Sequence, residues 1–345
     1  MKITKFTFLT FLLIGLMVAS CDLGEEVADS NTETVSNTET TAGDTREGAD
    51  PGAVLSDGTV GNPVFTLTWS HMENNEGPDI DMWVIDPNHA MLSTSRDGAG
   101  LGPTAEGGAI DYDDQGETGD GDGGGPERAF WPAGKMPAGI YTYGIRYYTG
   151  SGEADYTFRV YKDGFLADSF TGTLNTPGQR KVLGAACNVP QVQDLCDLYN
   201  SAPDKFNYCQ DLAYAAITGK VPPVPLSIEE AKAKIKTLLD QEGYTKAYEG
   251  TVPQTADPSV DANLVDGDII MFYTGNPPND PSNAPHYAVV RGGKIWQILH
   301  WGEGGQLDGP RDLSFFWNSR SLINAFTGQS KVTEKAFVYF VCYNR

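Results

Sequence analysis

His286-Tyr-Ala-Val-Val-Arg-Gly-Gly-Lys-Ile-Trp-Gln-Ile-Leu-His300 (HYAVVRGGKIWQILH) decides how the C-terminal half of the chain is read. Two β-branched and aromatic runs, 286–290 and 294–300, flank Gly292-Gly293, which is the pattern of a β-hairpin. Turn length then fixes side-chain parity. A two-residue turn pairs Arg291 with Lys294 and brings Gln297 to the face of His286, whereas a three-residue loop with a glycine bulge brings His300 there.

Working outward, 268–273 and 336–342 read as further strands, and two helices precede them. The first runs from Cys209 to Thr218 and stops at Gly219. The second opens at a capping box, Ser227-Ile-Glu-Glu230, carries Ile228, Ala231, Ile235, Leu238 and Leu239 on one face, and ends at Gly243. Region 185–345 is therefore expected to be α+β, with a cysteine opening a helix and histidine opening a later strand. That order suits nucleophilic chemistry. A thiol with an ordinary pKa of about 8.5 is only a few per cent thiolate at neutral pH, and a helix N-terminus or a nearby imidazolium lowers that value. The backbone N–H of Cys209 would add an oxyanion donor.

Three phrases, YCQDLAYAAITG, LVDGDIIMFYTG and HYAVVRGGKIWQILHWGEGG, resemble the cysteine helix, Gly-Asp strand and histidine hairpin of NlpC-type and CHAP cell-wall hydrolases. The resemblance implies a papain-like fold that needs no cofactor for catalysis, with Cys209 as nucleophile and His286 as base, acting on amide bonds in peptidoglycan peptides. It also implies a polar residue on the next strand that orients His286. Gln297 and His300 both qualify, and ILHWG, similar to the family's Ile-His stretch, favours His300. The helix departs from the commoner Asp-Cys-Ser-Gly form, with Tyr208 before the cysteine and Gln210-Asp211 after it.

Four cysteines, Cys187, Cys196, Cys209 and Cys342, leave a second reading open. Cys187 and Cys196 are close enough to close a small loop. Cys342 would then bridge Cys209 if that residue is structural, or stay a buried thiol if it is not. On that reading the chain is a non-catalytic surface protein whose two domains serve binding.

The preceding region, 62–180, alternates short aromatic and β-branched runs with Gly, Pro, Asn and Asp and is expected to be a β-sandwich. PDIDMWVIDPNHAML, GGAIDYDDQGETGDGDGGGPERAFWP and PAGIYTYGIRYYTGSGEADYTFRVYKDG resemble an uncharacterised bacterial β-sandwich family that implies no catalysis. Residues Asp79, Asp81, Asp111, Asp113, Asp114 and Glu127 form a candidate Ca²⁺ set, because side chains two apart share a strand face and Ca²⁺ takes six to eight oxygens. A solvated acidic surface with no ion is the competing reading. The run 111–116 partly imitates an EF-hand loop but lacks its Glu and its flanking helices. His71 and His89 read as loop residues.

The N-terminus pairs Lys2 and Lys5 with an apolar run and then Val18-Ala19-Ser20-Cys21. This is a secretory signal over 1–20 that resembles the lipobox of bacterial lipoproteins, implying a lipid on Cys21. No other stretch approaches the roughly 18 apolar residues of a membrane span, so membrane contact is expected through the anchor alone. Residues 21–61, rich in Ser, Thr, Glu, Asp and Gly, read as a disordered acidic tether. A net charge of −22 and the lack of a basic patch exclude nucleic acid as a partner. The whole is expected to be a multidomain envelope protein, an all-β sandwich followed by a papain-like α+β cysteine hydrolase domain, with peptidoglycan or a cell-surface polymer as partner.

Overall fold

The computed structural model describes residues 49–70, 77–94, 103–113, 126–223, 228–255, 257–274, 285–300, 305–317, 320–323, 330–334 and 337–345. Two antiparallel sheets make up the first half. Their strands are β1 (Gly61–Trp69), β2 (Asp79–Ile85), β3 (Met91–Ser93), β4 (Ala109–Tyr112), β5 (Glu127–Pro132), β6 (Ile140–Thr149), β7 (Ala154–Lys162), β8 (Phe165–Leu174) and β9 (Arg180–Cys187). One sheet is ordered β4-β5-β1-β7-β8 and the other β3-β2-β6-β9. Between them lie Phe65, Leu67, Ile80, Met82, Val84, Trp131 and Phe158. Tyr143 and Phe158 stack there with ring centroids 5.2 Å apart.

Two boundaries move from where composition puts them. β9 carries the sandwich to Cys187, past the expected end at 180, because Val182, Leu183 and Ala185 are buried. At the other end, the segment from 49 onward is structure rather than tether. Ala53 and Leu55 pack with Val64 and Tyr161, and Val54 bridges Val60. An acidic composition hid two apolar side chains that suffice to dock it.

The second half begins with α1 (Gln193–Ser201), α2 (Cys209–Thr218) and α3 (Ile228–Gln241). There follow β10 (Thr245–Thr251), the single turn α4 (Pro258–Asp261), β11 (Ile269–Tyr273), β12 (His286–Arg291), β13 (Lys294–His300), β14 (Gly305–Arg311), β15 (Arg320–Ile323), β16 (Ser330–Glu334) and β17 (Tyr339–Asn344). Six of these strands form one antiparallel sheet, β10-β17-β11-β12-β13-β14, while β15 pairs with β16. Among the described residues, no helix is long and apolar enough to cross a membrane.

Alternation along these strands builds a core that both halves share. In β2 the even positions Ile80, Met82 and Val84 fill the sandwich, while Trp83 and Ile85 turn outward. There they join Ile140 and Val182 against Leu195, Leu212, Trp296 and Leu307 of the second half. Trp83 and Ile85 are buried for this reason, although a strand on a free sandwich would expose every second residue. Polar contacts cross the same seam. The Thr142 hydroxyl donates to the Leu307 carbonyl at 3.0 Å, and His89 meets Asp308 at 2.6 Å. The other face of the six-stranded sheet has its own core, including Ile270, Phe272, Val290, Phe316, Phe337 and Phe340.

Candidate functional site

Cys209 opens α2, as its sequence suggests. Asp211, two residues into the helix, is buried and accepts from the N–H groups of Asn207 (3.1 Å) and Tyr208 (2.9 Å). Gly219 ends the helix in the left-handed region at φ 66°. The thiol is buried, with Sγ 3.5 Å from Gln210 Oε1, in the core that contains Tyr287, Val289 and Trp296. Burial holds the Tyr287 phenol far above its ordinary value, and the nearby Cys209 adds to that shift.

His286 lies on the opposite face of the sheet. Its neighbour in sequence, Tyr287, faces α2, so His286 points away from it. The imidazole stacks on Phe337 with centroids 5.4 Å apart and lies 6.2–6.4 Å from Phe316 and Phe272, all three belonging to the far core. Cys209 and His286, the expected nucleophile and base, are therefore separated by the sheet itself. Chain order brought them to the same strands and helix, while strand parity assigned them different faces.

The partner of His286 is decided by the hairpin turn. Arg291 pairs with Lys294, and Gly292 and Gly293 take φ of 59° and 66°, a two-residue turn that only residues tolerating positive φ make easily. Gln297 accordingly lands beside His286, with Oε1 2.6 Å from Nε2. His300 ends β13 with its backbone paired to Gly305, and its side chain lies outside the described residues.

Behind Gln297 stands a group not singled out in the sequence. Gln297 Nε2 donates to Asp308 Oδ2 at 2.6 Å, and Arg311 makes an ion pair with the same carboxylate. Burial alone would raise the Asp308 pKa, but the charges of Arg311 and His89 and the hydrogen bonds from His89 and Gln297 outweigh it and hold the group well below the usual carboxylate range. His89, read as a loop residue, reaches this carboxylate from the sandwich, its backbone at φ 65° in the turn after Asp86. The stretch GQLDGPR that holds this aspartate carries no periodic signal in the sequence.

Cys187 and Cys196 are disulfide-bonded, and Cys209 and Cys342 are buried thiols outside any disulfide. Cys342 alternates onto the far face, where Sγ lies 3.2 Å from Asp268 Oδ2, and burial followed by that carboxylate pushes its thiol up. A Cys209–Cys342 bridge would have to pass through the sheet, so that arm of the alternative reading falls.

The acidic residues of the sandwich divide. Asp79, Asp81 and Glu127 are buried, and one carboxylate oxygen from each lies within 4.8 Å of the others. Glu127 reaches from β5 to the edge of β2, where Oε2 accepts from Met82 N (2.8 Å) and Thr94 Oγ1 (2.6 Å). Desolvation first, and then the charge of Asp81, hold its carboxyl well above the ordinary carboxylate value, with Asp113 adding to the effect. Asp111 leaves the expected set. It is engaged by Arg128 at 3.0 Å and by the Ser56 hydroxyl at 2.5 Å. Asp114, His71 and Cys21 lie outside the described residues.

Comparison with protein families, curated proteins and solved structures returns no match for this chain.

Proposed function

We propose that this chain is a lipid-anchored binding protein of the bacterial envelope, its two β-rich halves joined into one body that contacts peptidoglycan or another surface polymer. The observation that carries this reading is the separation of Cys209 from His286 by the six-stranded sheet. From the far face, His286 can neither take the Cys209 proton nor hand one to a leaving amine. The tether and the lipid on Cys21 supply reach and attachment, supported by the composition of 21–48 and by Val18-Ala19-Ser20-Cys21.

The papain-like hydrolase is the second reading, favoured by one observation: Cys209, at the first residue of α2, is a thiol outside any disulfide. Incubation of purified sacculi with the soluble protein and with Cys209→Ser separates the two. The binding reading expects both proteins to sediment with the sacculi and neither to release new amine termini. Amine release by the wild type that Cys209→Ser abolishes would overturn it in favour of the hydrolase, and failure of either protein to sediment would remove the polymer as partner.

A further inference from the structure

The sandwich carries a second feature that does not depend on the binding reading. We propose that Asp79, Asp81 and Glu127 bind one hard divalent cation, Ca²⁺ in preference to Mg²⁺, where β2 runs on past its pairing with β3.

The donors are placed by strand geometry. β3 pairs only with Trp83 to Ile85 of β2, so the preceding stretch of β2 is left for other partners. Asp79 and Asp81, two apart, share a strand face. Glu127 crosses from the other sheet and is fixed there by Met82 N and Thr94 Oγ1, both on Oε2. Its second oxygen, Oε1, is equally buried and has no hydrogen-bond partner among the described residues. Leaving a buried carboxylate oxygen without a partner is costly, and a cation beside Asp79 and Asp81 would supply one.

Spacing and chemistry agree. Two oxygens each about 2.4 Å from a calcium ion lie at most about 4.8 Å apart, and the three groups meet that condition. An all-oxygen donor set without sulfur or imidazole suits Ca²⁺, Mg²⁺ or Mn²⁺ rather than zinc or copper. Mg²⁺ dehydrates reluctantly and keeps several waters, which a set of three residues each under a tenth exposed has little room for. The charges that act most strongly on Glu127 are themselves acidic, those of Asp81 and Asp113, so the site attracts a cation before it attracts anything else. A buried carboxylate offsets its charge by taking a proton, by pairing with a cationic side chain or by binding a metal ion. The proposal is the metal ion.

The test uses the full soluble chain, stripped with chelator and titrated calorimetrically with CaCl₂ and, separately, MgCl₂, with melting curves in chelator and in Ca²⁺. We expect saturable binding of one Ca²⁺, weaker binding of Mg²⁺, and a higher melting temperature with Ca²⁺. Asp81→Asn should weaken Ca²⁺ binding at least tenfold, and Asp111→Asn should leave it unchanged. Coincident melting curves with no binding heat would overturn the proposal. Asp81→Asn binding Ca²⁺ as the wild type does would also overturn it, by placing the ion elsewhere on the acidic surface. Equal Mg²⁺ affinity would overturn the preference for Ca²⁺. If Asp81→Asn does not fold by circular dichroism, Asp79→Asn takes its place, and if neither folds the wild-type melting comparison decides.

Discussion

Gln297 fixes which nitrogen of His286 carries the proton. Asp308 is held ionised by Arg311 and His89 and can only accept, so the Gln297 amide must turn its NH₂ toward Oδ2. Its carbonyl oxygen then faces His286 Nε2, which must donate. The neutral imidazole is thus the Nε2–H tautomer, with its basic lone pair on Nδ1. Long-range ¹H–¹⁵N spectra of the folded protein should show this pattern for His286, and a Gln297→Glu variant should raise its pKa by placing a charge where the amide oxygen was. Gln297→Leu removes one donor from a buried carboxylate and should cost about 1–3 kcal/mol in urea unfolding. The sequence made this pairing legible as one of two options, because parity follows from the length of the Gly292-Gly293 turn. It did not reveal Asp308, whose role depends on a contact eleven residues away in sequence and across one strand.

Among the elements, those with strong local signals matched their reading: α2 runs over the expected residues, and β13 spans 294–300 as its alternation suggests. β10 and β14 escaped it for opposite reasons. Thr245–Thr251 is mostly exposed and carries little apolar pattern, and Gly305–Arg311 contains two glycines and a proline yet becomes a strand because β13 supplies the ladder. The turn after β2 has its own pH signature. Asp86 Oδ1 accepts from Asn88 N and Ala90 N, while Oδ2 is buried, and desolvation pushes the carboxyl up to about 6 from its ordinary 3.8. Since the folded value lies above the unfolded one, the protonated turn contributes stability fully below about pH 3.8, and that contribution is lost as pH rises through about 6. Asp86→Asn keeps the acceptor without the charge. Its stability relative to wild type should therefore rise by on the order of 1–3 kcal/mol between pH 4 and pH 7.5, read from paired denaturant curves. At the next junction, the Cys187–Cys196 bond ties the end of β9 to α1 across a separation of nine residues. Reducing it should cost about 2.5 kcal/mol, seen as a lower urea midpoint in the presence of a reductant.

At the scale of the whole molecule, composition divided the chain into two domains, and the structure joins them. Trp83, Ile85 and Ile140 of the sandwich belong to the same buried cluster as Leu212, Trp296 and Leu307, and contacts at Thr142 and His89 close the seam. Gly139 marks how tight that seam is: a Cβ there would stand 2.7 Å from the Gly309 carbonyl oxygen. Calorimetry of the full chain should accordingly give one unfolding transition rather than two, and Gly139→Val should lower it as a unit. Two separate peaks would mean that the shared core contributes little. The seam was not readable beforehand, because a tryptophan facing a second half looks, in sequence, like one facing the sandwich interior.

That seam also puts a clock into the protein's biogenesis. A chain leaves the ribosome from its N-terminus, so strands β1–β9 are complete while β13 and β14 are still to come. Until then Trp83, Ile85, Met91 and Ile140 form an apolar patch on a finished sandwich, at the moment when neighbouring chains are most able to stick to it. Folding without aggregation requires that copies stay apart for as long as the second half takes to arrive. The part made first has nowhere to put its tryptophan until the part made last is folded over it.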